Sequence, residues 1–138
     1  MTDQKHVELL RRDVDAWNRW RVENPDAKLD LSGADLSRAD LLLANLSGVD
    51  LSGANFVLAN LNGADLSGAN LKGANLVGAR FIGVDLEQTD LRGADLRTAE
   101  DLTDEQLAES LGDAHTRLPE GLKHPAKWAR EGSALKRD

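Results

Sequence analysis

Residues 29–98 read LDLSG ADLSR ADLLL ANLSG VDLSG ANFVL ANLNG ADLSG ANLKG ANLVG ARFIG VDLEQ TDLRG ADLRT, which is fourteen consecutive pentapeptides without an insertion. The third residue is Leu in twelve of them and Phe in two, and the first is Ala in ten. The second residue is Asp or Asn in thirteen, and the fifth is Gly in nine. Tandem units this short can bury their apolar side only against neighbouring units, so the repeat determines the architecture.

The order of residues within a pentapeptide predicts a very short strand followed by a corner. The first and third residues are apolar and two apart, so both point to one side, while the second points to the other. The fourth and fifth residues are often Ser-Gly, which suits a tight turn because Gly accepts positive φ. A period of five does not match the helical period of 3.6, and leucine-rich repeats need units of about 20 residues or more. We therefore expect an all-β solenoid with an aliphatic interior.

The tandem A(D/N)LxG motif resembles the pentapeptide-repeat family. The resemblance implies a right-handed quadrilateral β-helix with four pentapeptides per coil, hence about three and a half coils. The residues alone leave that number open, because the apolar corner residues recur at two different spacings. Val57 and Val77 are twenty residues apart, whereas Leu42-Leu43 and Val57-Leu58 are fifteen apart. Four per coil would stack the third residues in four inward columns: Leu31, Leu51, Leu71 and Leu91; Leu36, Phe56, Leu76 and Leu96; Leu41, Leu61 and Phe81; Leu46, Leu66 and Leu86.

The segments that flank the repeats, residues 1–28 and 101–138, are interpreted as caps of the repeat region 29–100. Apolar residues at helical spacing predict one amphipathic helix from about Gln4 to Val22, and Asn24-Pro25 ends it. An open end of a β-stack exposes unpaired backbone groups and needs a cover. Binding of a partner or a membrane surface by this helix is the alternative. Its apolar side comprises Val7, Leu10, Val14, Trp17 and Trp20.

The segment after the repeats contains a capping-box pattern with Thr103 as N-cap and Gln106 three residues on. It predicts a short helix to about Leu111, with Leu107 and Leu111 inward and Gly112 ending it. Beyond it we expect an extended strap, because two prolines and a glycine exclude a long helix. Leu118, Leu122 and Trp128 are its anchors, and residues from about 130 are polar and predicted to be disordered.

Six apolar residues break the pattern of polar corners: Leu42, Leu43, Val57, Leu58, Val77 and Ile82. If the four faces are numbered from Leu29, all six flank the third face, whose outward residues include Asp40, Asn60 and Arg80. An exposed apolar patch usually marks an interface. The patch is therefore either a surface for a protein partner or a second copy of the chain, or it is covered by the C-terminal segment, which begins beside it.

Composition excludes several classes of function. The chain has 138 residues, a net charge of −7 and no cysteine, so a disulfide framework and a thiolate metal site are excluded. The acidic balance argues against direct nucleic-acid binding. No apolar run has the length of a signal core or a membrane span, so we expect a cytoplasmic protein without membrane contact. His6, His115 and His124 show no metal-ligand spacing. We predict no catalytic, cofactor-binding or metal-binding residue, and no enzyme activity.

Two functional hypotheses follow. The first is a non-catalytic protein-interaction or scaffold module, because solenoids offer extended faces for binding. The second comes from the family resemblance: some relatives bind DNA gyrase and confer quinolone resistance as mimics of duplex DNA. Residues 29–100 contain ten acidic and five basic side chains, and the acids are not concentrated in one column, which disfavours the second hypothesis.

Overall fold

The computed structural model describes residues 2–129. Its elements are helix α1 (Gln4–Arg12), helix α2 (Val14–Glu23), the repeat coil over residues 29–100, helix α3 (Asp104–Glu109) and a helical turn over residues 126–129. The first two helices lie at the start of the coil, and residues 104–129 lie at its end. The disorder predicted from about residue 130 concerns positions outside the described residues.

Parallel bridges join residues twenty positions apart throughout the coil. Asp30 pairs with Asp50, Asp50 with Asn70 and Asn70 with Asp90, and the other three faces follow the same rule. Twenty residues are four pentapeptides, so each coil has four faces and the fifteen-residue alternative is excluded. Each bridge between repeats involves only the second residue of a pentapeptide, which makes the strand on every face very short.

The backbone N–H groups of each pentapeptide have regular acceptors. In the first repeat, Leu31 N–H donates to Asp50 O at 2.8 Å and Gly33 N–H donates to Ser52 O at 2.8 Å, so the third and fifth residues reach the next coil. Ala34 N–H donates back to Leu31 O at 3.1 Å and closes the turn at the corner. This ladder leaves the N–H of the fourth residue without a backbone acceptor.

The side chain of the second residue supplies that acceptor. Oδ1 of Asp35 accepts from Ser37 N–H at 3.1 Å, and Oδ1 of Asn55 accepts from Val57 N–H at 3.0 Å. The same bond forms in thirteen of the fourteen repeats. Asp and Asn both carry this acceptor two residues before the N–H that needs it, which explains why the repeat accepts either residue.

Arg80 is the exception, because a guanidinium group has no acceptor. There the N–H of Ile82 donates instead to Oδ1 of Asn62, on the neighbouring coil, at 2.9 Å. Asn62 N–H is itself bonded to Oδ1 of Asn60 at 3.1 Å. A polar side chain at the corner of one coil thus compensates for the arginine in the next.

Where the second residue is Asp, these bonds favour the charged carboxylate. The hydroxyl and N–H of Ser37 lower the pKa of Asp35 below its ordinary value, and the Arg97 guanidinium does the same for Asp95. Burial would raise the pKa of Asp90, but the hydrogen bonds and positive charge of Arg92 outweigh it and the pKa is lowered.

The interior of the coil is filled from the first and third positions. All fourteen third residues and all fourteen first residues are buried. Thr89, the one polar residue among them, donates its hydroxyl to Leu66 O at 2.6 Å. Each buried Leu contributes roughly 1.5–3 kcal/mol relative to exposure, so these columns are the main source of stability.

The cap at the start of the coil differs from the single helix predicted over residues 4–22, which is wrong. Asp13 is extended, with φ −155° and ψ 95°, and its N–H donates to Leu9 O at 2.9 Å. Its Oδ1 accepts from Ala16 N–H at 3.0 Å, so this one residue ends α1 and caps α2. Val7, Leu10 and Trp17 are buried, whereas Val14 and Trp20 are partly buried against the core.

Side chains of the cap bond to carbonyls of the first coil. The bonds run from Arg11 to Asp35 O and Ser37 O, from Trp17 Nε1 to Asn45 O, from Asn18 to Leu43 O, and from Arg21 to Asn45 O and Ser47 O. In later coils the second- and fourth-position carbonyls accept N–H groups from the preceding coil. The helices therefore supply donors that a preceding coil would otherwise provide, which closes this end of the stack.

At the other end, α3 begins with the predicted capping box, which is confirmed. Thr103 Oγ1 accepts from Gln106 N–H at 3.2 Å, and Gln106 Oε1 accepts from Thr103 N–H at 2.9 Å. The predicted end near Leu111 is wrong, since α3 ends at Glu109. Leu111 instead continues the ladder: it donates to Thr89 O and accepts from Leu91 N–H, while Leu107 is buried.

Trp128 packs at the end of the coil. Its ring is buried, and its Nε1 donates to Ser110 O at 3.0 Å. The ring packs so closely on Gly112 that a Cβ added there would lie 2.5 Å from Cδ2 of Trp128. Gly112 is required for space at this contact, and it does not end α3 as predicted. Leu118 and Leu122 pack partly buried against the same core.

The contact between Gly112 and Trp128 gives a stability prediction. We expect Gly112→Ala to lower the free energy of unfolding by about 1–3 kcal/mol, because overpacking displaces the ring. In a Trp128→Ala background the same change should cost much less, since the ring is absent. Urea unfolding followed by circular dichroism measures both costs, and equal costs in the two backgrounds would contradict the contact.

The exception at Arg80 gives a second prediction. Asn62→Ala should cost about 1 kcal/mol, because Ile82 N–H loses its acceptor. Adding Arg80→Asn should recover most of that loss, since a local Oδ1 is restored two residues before Ile82. Ser67→Ala, at the same position of the next pentapeptide, is the control and should not respond to Arg80→Asn. A double variant no more stable than Asn62→Ala alone would refute the compensation.

The lowered pKa values predict acid sensitivity. Since the folded-state pKa values of Asp35, Asp90 and Asp95 lie below their unfolded values, the unfolded chain binds protons first as the pH falls. Their contribution to stability is fully present above an unfolded pKa of about 3.9 and is lost as the pH falls through the folded values. We expect the melting temperature to fall from roughly pH 5 downward.

Asp95→Asn tests this sign directly. The amide keeps the Oδ1 acceptor of the turn but removes the titrating charge, so the acid-induced decrease in melting temperature should become smaller. Asp26→Asn, outside the coil, should leave the decrease unchanged. A steeper decrease in Asp95→Asn than in the wild type would contradict the assignment.

Candidate interaction surface

The twenty-residue register places the six apolar corner residues on two adjacent corners of the coil. The corner before the third face comprises Ser37-Arg38, Val57-Leu58, Val77-Gly78 and Arg97-Thr98. The corner after it comprises Leu42-Leu43, Asn62-Gly63 and Ile82-Gly83. The fourth residues on the two remaining corners are polar or charged: Ser32, Ser52, Lys72 and Arg92 on one, and Ser47, Ser67 and Glu87 on the other.

Four of the six apolar side chains are exposed. The exposed fractions are 47% for Leu42, 64% for Leu43, 48% for Leu58 and 57% for Ile82. Val57 and Val77 are half-buried. Adjacent coils are about 4.8 Å apart, so Leu42 and Ile82, two coils apart, are separated by about 10 Å along the corner.

Departures from glycine concentrate on the same two corners. All fourteen fifth residues of the repeats have positive φ, between 58° and 72°. Five of them are not glycine, and four of these five lie on the corners that flank the third face: Arg38, Leu43, Leu58 and Thr98. The left-handed conformation costs an L-residue roughly 1–2 kcal/mol relative to a right-handed one, so the side chains at these positions are maintained against a backbone cost.

The two leucines at these left-handed positions cover glycines of the next coil. A Cβ added to Gly63 would lie 2.6 Å from Cδ2 of Leu43, and one added to Gly78 would lie 2.7 Å from Cδ2 of Leu58. Each leucine therefore lies along the corner on the next coil and leaves its outer side exposed. The result is an apolar edge on both sides of the third face.

Between these edges the outward residues of the third face differ in charge from one coil to the next. They are Asp40, Asn60, Arg80 and Glu100, in the order of the bridges. Asn60 Nδ2 donates to Oδ1 of Asp40 at 3.3 Å, and Arg80 Nε lies 3.7 Å from Oε1 of Glu100. Arg80 and Glu100 side chains are each 59% exposed, so their ion pair contributes little stability.

The described C-terminal residues 101–129 lie elsewhere. Gln106 donates to Phe81 O and Val84 O at the end of the coil, and His124 Nε2 lies 2.7 Å from Thr116 O. Together with Trp128 these contacts place residues 104–129 over the end of the last coil, with Gln106 beside Ile82, and they leave Leu42, Leu43, Leu58 and Ile82 exposed. Residues 130–138, which were included in the expected cover, lie outside the described residues.

Acidic side chains point outward from all four faces. Asp30, Asp50 and Asp90 lie on the first face, Asp35 and Asp95 on the second, Asp40 and Glu100 on the third, and Asp65 and Asp85 on the fourth. Asp90 and Asp95 are paired with Arg92 and Arg97 at 2.7 Å. This distribution leaves no face with a continuous row of carboxylates, so it does not favour mimicry of DNA.

Other kinds of site have little support in residues 2–129. No group of three or more His, Asp or Glu side chains in that range is arranged to hold a metal ion. Within the same range no helix has the length and apolar character to cross a bilayer. A shallow hollow of about 340 Å³ on α2 is lined by Asn18, Arg19, Val22 and Glu23, and it contains no cluster of catalytic groups.

Two features of the site escaped sequence reasoning. The bond from Ile82 N–H to Asn62 crosses between coils. Its signal in the sequence is that Arg80 lacks an acceptor while an asparagine stands twenty residues before Ile82. Asn18 donates to Leu43 O and accepts from Asn45 N–H at the corner after the third face, and this role could be seen only from the position of α2.

Several known proteins are similar to this chain. HetL, a pentapeptide repeat protein involved in heterocyst differentiation regulation from the cyanobacterium Nostoc, is 44% identical over 54% of this chain, with a TM-score of 0.38. The match spans about a third (32%) of HetL. A pentapeptide repeat protein (Rfr23) from the cyanobacterium Cyanothece 51142 is 38% identical over 67% of each chain, with a TM-score of 0.33.

More distant is QnrB1, a plasmid-mediated fluoroquinolone resistance protein. It is 21% identical over 80% of this chain and 64% of its own, with a TM-score of 0.28. No curated protein matches the chain. The sequence model of pentapeptide repeats matches eight copies, over residues 28–63 and 59–97. These matches span half of the chain, and on this evidence the chain belongs to the pentapeptide-repeat family.

Proposed function

We propose that this chain is a non-catalytic protein-interaction module that binds its partner through the third face and the two corners beside it. The observation that carries the proposal is the position of the irregular residues. All the apolar fourth residues, and four of the five non-glycine fifth residues, lie on these two corners. The other two corners keep polar side chains and nearly all their glycines.

The backbone cost of these positions supports a role in binding. Leu43 and Leu58 have φ of 65° and 60°, where glycine would relieve the strain, and both expose about half or more of their surface. Strained residues with exposed apolar side chains are typical of ligand-contact surfaces. Burial of these leucines against a partner would recover apolar free energy that the isolated chain does not gain.

The coil suits such a role because it presents the surface rigidly. Every backbone N–H of a regular repeat has an acceptor in the adjacent coil, in the turn or in an Asx side chain. A partner that binds there meets a backbone already fixed in position, which lowers the entropic cost of association. On the family's pattern we propose that this coil is a right-handed quadrilateral β-helix. We also propose a cytoplasmic location.

Site-specific photo-crosslinking in the native host tests the proposal. A photoreactive amino acid at position 42 or 82 should give an adduct of defined mass, because both positions are exposed on an apolar corner of the proposed surface. Position 87 is the matched control, since Glu87 is also an exposed fourth residue but lies on a different corner. Absence of adducts at 42 and 82, or equal adducts at 87, would overturn the proposal.

A further inference from the structure

The order of charges on the third face is complementary to itself. Asp40 lies on the first coil, Asn60 on the second and Arg80 on the third. A negative charge and a positive charge thus lie one coil to either side of a neutral residue. Over these three coils the face matches an inverted copy of itself, as an isologous interface requires, while Glu100 on the fourth coil would lie towards the cap of the second copy.

The matching copy is antiparallel. Consider two chains with their third faces in contact, related by a two-fold axis that lies in the interface, runs across the face and passes through Asn60. This axis exchanges the first and third coils and keeps each corner opposite the same corner of the other copy. Asp40 then lies opposite Arg80 of the second copy, and Arg80 lies opposite its Asp40, so both charges meet an opposite charge.

The same axis brings apolar residues together on both corners. On the corner after the third face, Leu42 of the first coil lies opposite Ile82 of the second copy's third coil. On the corner before it, Leu58 belongs to the second coil and lies on the axis, opposite Leu58 of the second copy. The four exposed apolar side chains are therefore placed in or beside apolar contacts by one operation.

The alternative symmetric arrangement is disfavoured by charge. A two-fold axis parallel to the long axis of the coil would place Asp40 opposite Asp40 and Arg80 opposite Arg80. Like charges in juxtaposition oppose association and serve to exclude wrong arrangements. The charge pattern selects the antiparallel pair.

The cap lies beside this surface, since Asp40 and Leu42 line a shallow hollow of about 310 Å³ together with the junction of α1 and α2 (residues 11–15), so a second copy must also fit against that junction. The contacts that the residues of the face make with one another are weak. Arg80 and Glu100 form an exposed pair at 3.7 Å, and Asn60 reaches Asp40 through a single bond of 3.3 Å. Exposed pairs of this kind contribute little to stability. Arg80 can therefore exchange Glu100 for Asp40 of the second copy at little cost in free energy. The charged and apolar side chains that must meet are exposed in the single chain.

We propose that the partner of this surface is a second copy of the chain, bound antiparallel through the third face. The proposal rests on the proposed function, because it names the partner of the same surface. The interface is centred on Asn60, with two Asp40–Arg80 pairs and apolar contacts from Leu42, Leu58 and Ile82.

Analytical ultracentrifugation of charge variants tests the arrangement. The wild type should sediment as a dimer at micromolar concentration. Arg80→Asp and Asp40→Arg should each weaken the dimer at least about tenfold, because each places like charges in contact. The double variant Asp40→Arg/Arg80→Asp should dimerise like the wild type. Glu87→Lys, a charge reversal on a distant corner, should have no effect.

A mixture of the two single variants gives the sharpest result. In a heterodimer of Asp40→Arg with Arg80→Asp, the two introduced side chains form one pair of opposite charge. The unchanged Arg80 of the first variant and the unchanged Asp40 of the second form the other pair. Two chains that are monomeric alone should therefore form a dimer when mixed in equal amounts.

Circular dichroism confirms that each variant is folded. Leu58→Asp, on the axis, should abolish dimerisation of the wild type.

The outcomes separate this inference from the proposed function. A wild type that remains monomeric at about 100 µM, well above the concentration expected for the dimer, overturns the second-copy interface. Single variants that stay monomeric when mixed overturn it too. An adduct at position 42 with the mass of another protein also overturns it, yet leaves the interaction module standing. Absence of any adduct at positions 42 and 82 overturns both.

Discussion

Backbone hydrogen bonds between adjacent coils are the constraint on which this molecule depends. Each coil donates to and accepts from its neighbours at fixed offsets, so the first and last coils necessarily lack one neighbour. The chain solves this at the start with side-chain donors such as Arg11 and Arg21, which bond to carbonyls of the first coil. At the end, Leu111 and Arg117 extend the ladder irregularly before Trp128 closes it.

The repeat could be predicted in detail because its five positions have separate physical requirements. Apolar residues two apart, an Asx acceptor and a residue of positive φ leave little freedom, so the buried columns from Leu31 to Leu96 follow directly. The number of repeats per coil could not be derived this way, because the pattern of Val57 and Leu42 is consistent with fifteen or twenty residues. The number depends on how sharply each corner turns, which only the bridges reveal.

The caps were less predictable because their residues serve several roles. Asp13 fits the polar side of one long helix, and only tertiary structure shows that it divides the helix in two. Gly112 was predicted as a helix end because glycine is common there, but it is needed for the space occupied by Trp128. The apolar corners were visible in the sequence, whereas their exposure depends on where the C-terminal strap lies.

The twenty-residue register also limits how the repeat region can change in length. Insertion or deletion of a single pentapeptide between Leu58 and Val77 would keep the core pattern but rotate every later repeat by one face. Val77 and Ile82 would then leave the side of the molecule that carries Leu42 and Leu58, and the charges at positions 40 and 80 would no longer share a face. Within that part of the coil only the gain or loss of a whole turn of four pentapeptides keeps these residues on one side, so its length can change only in steps of twenty residues if the surface is to be preserved.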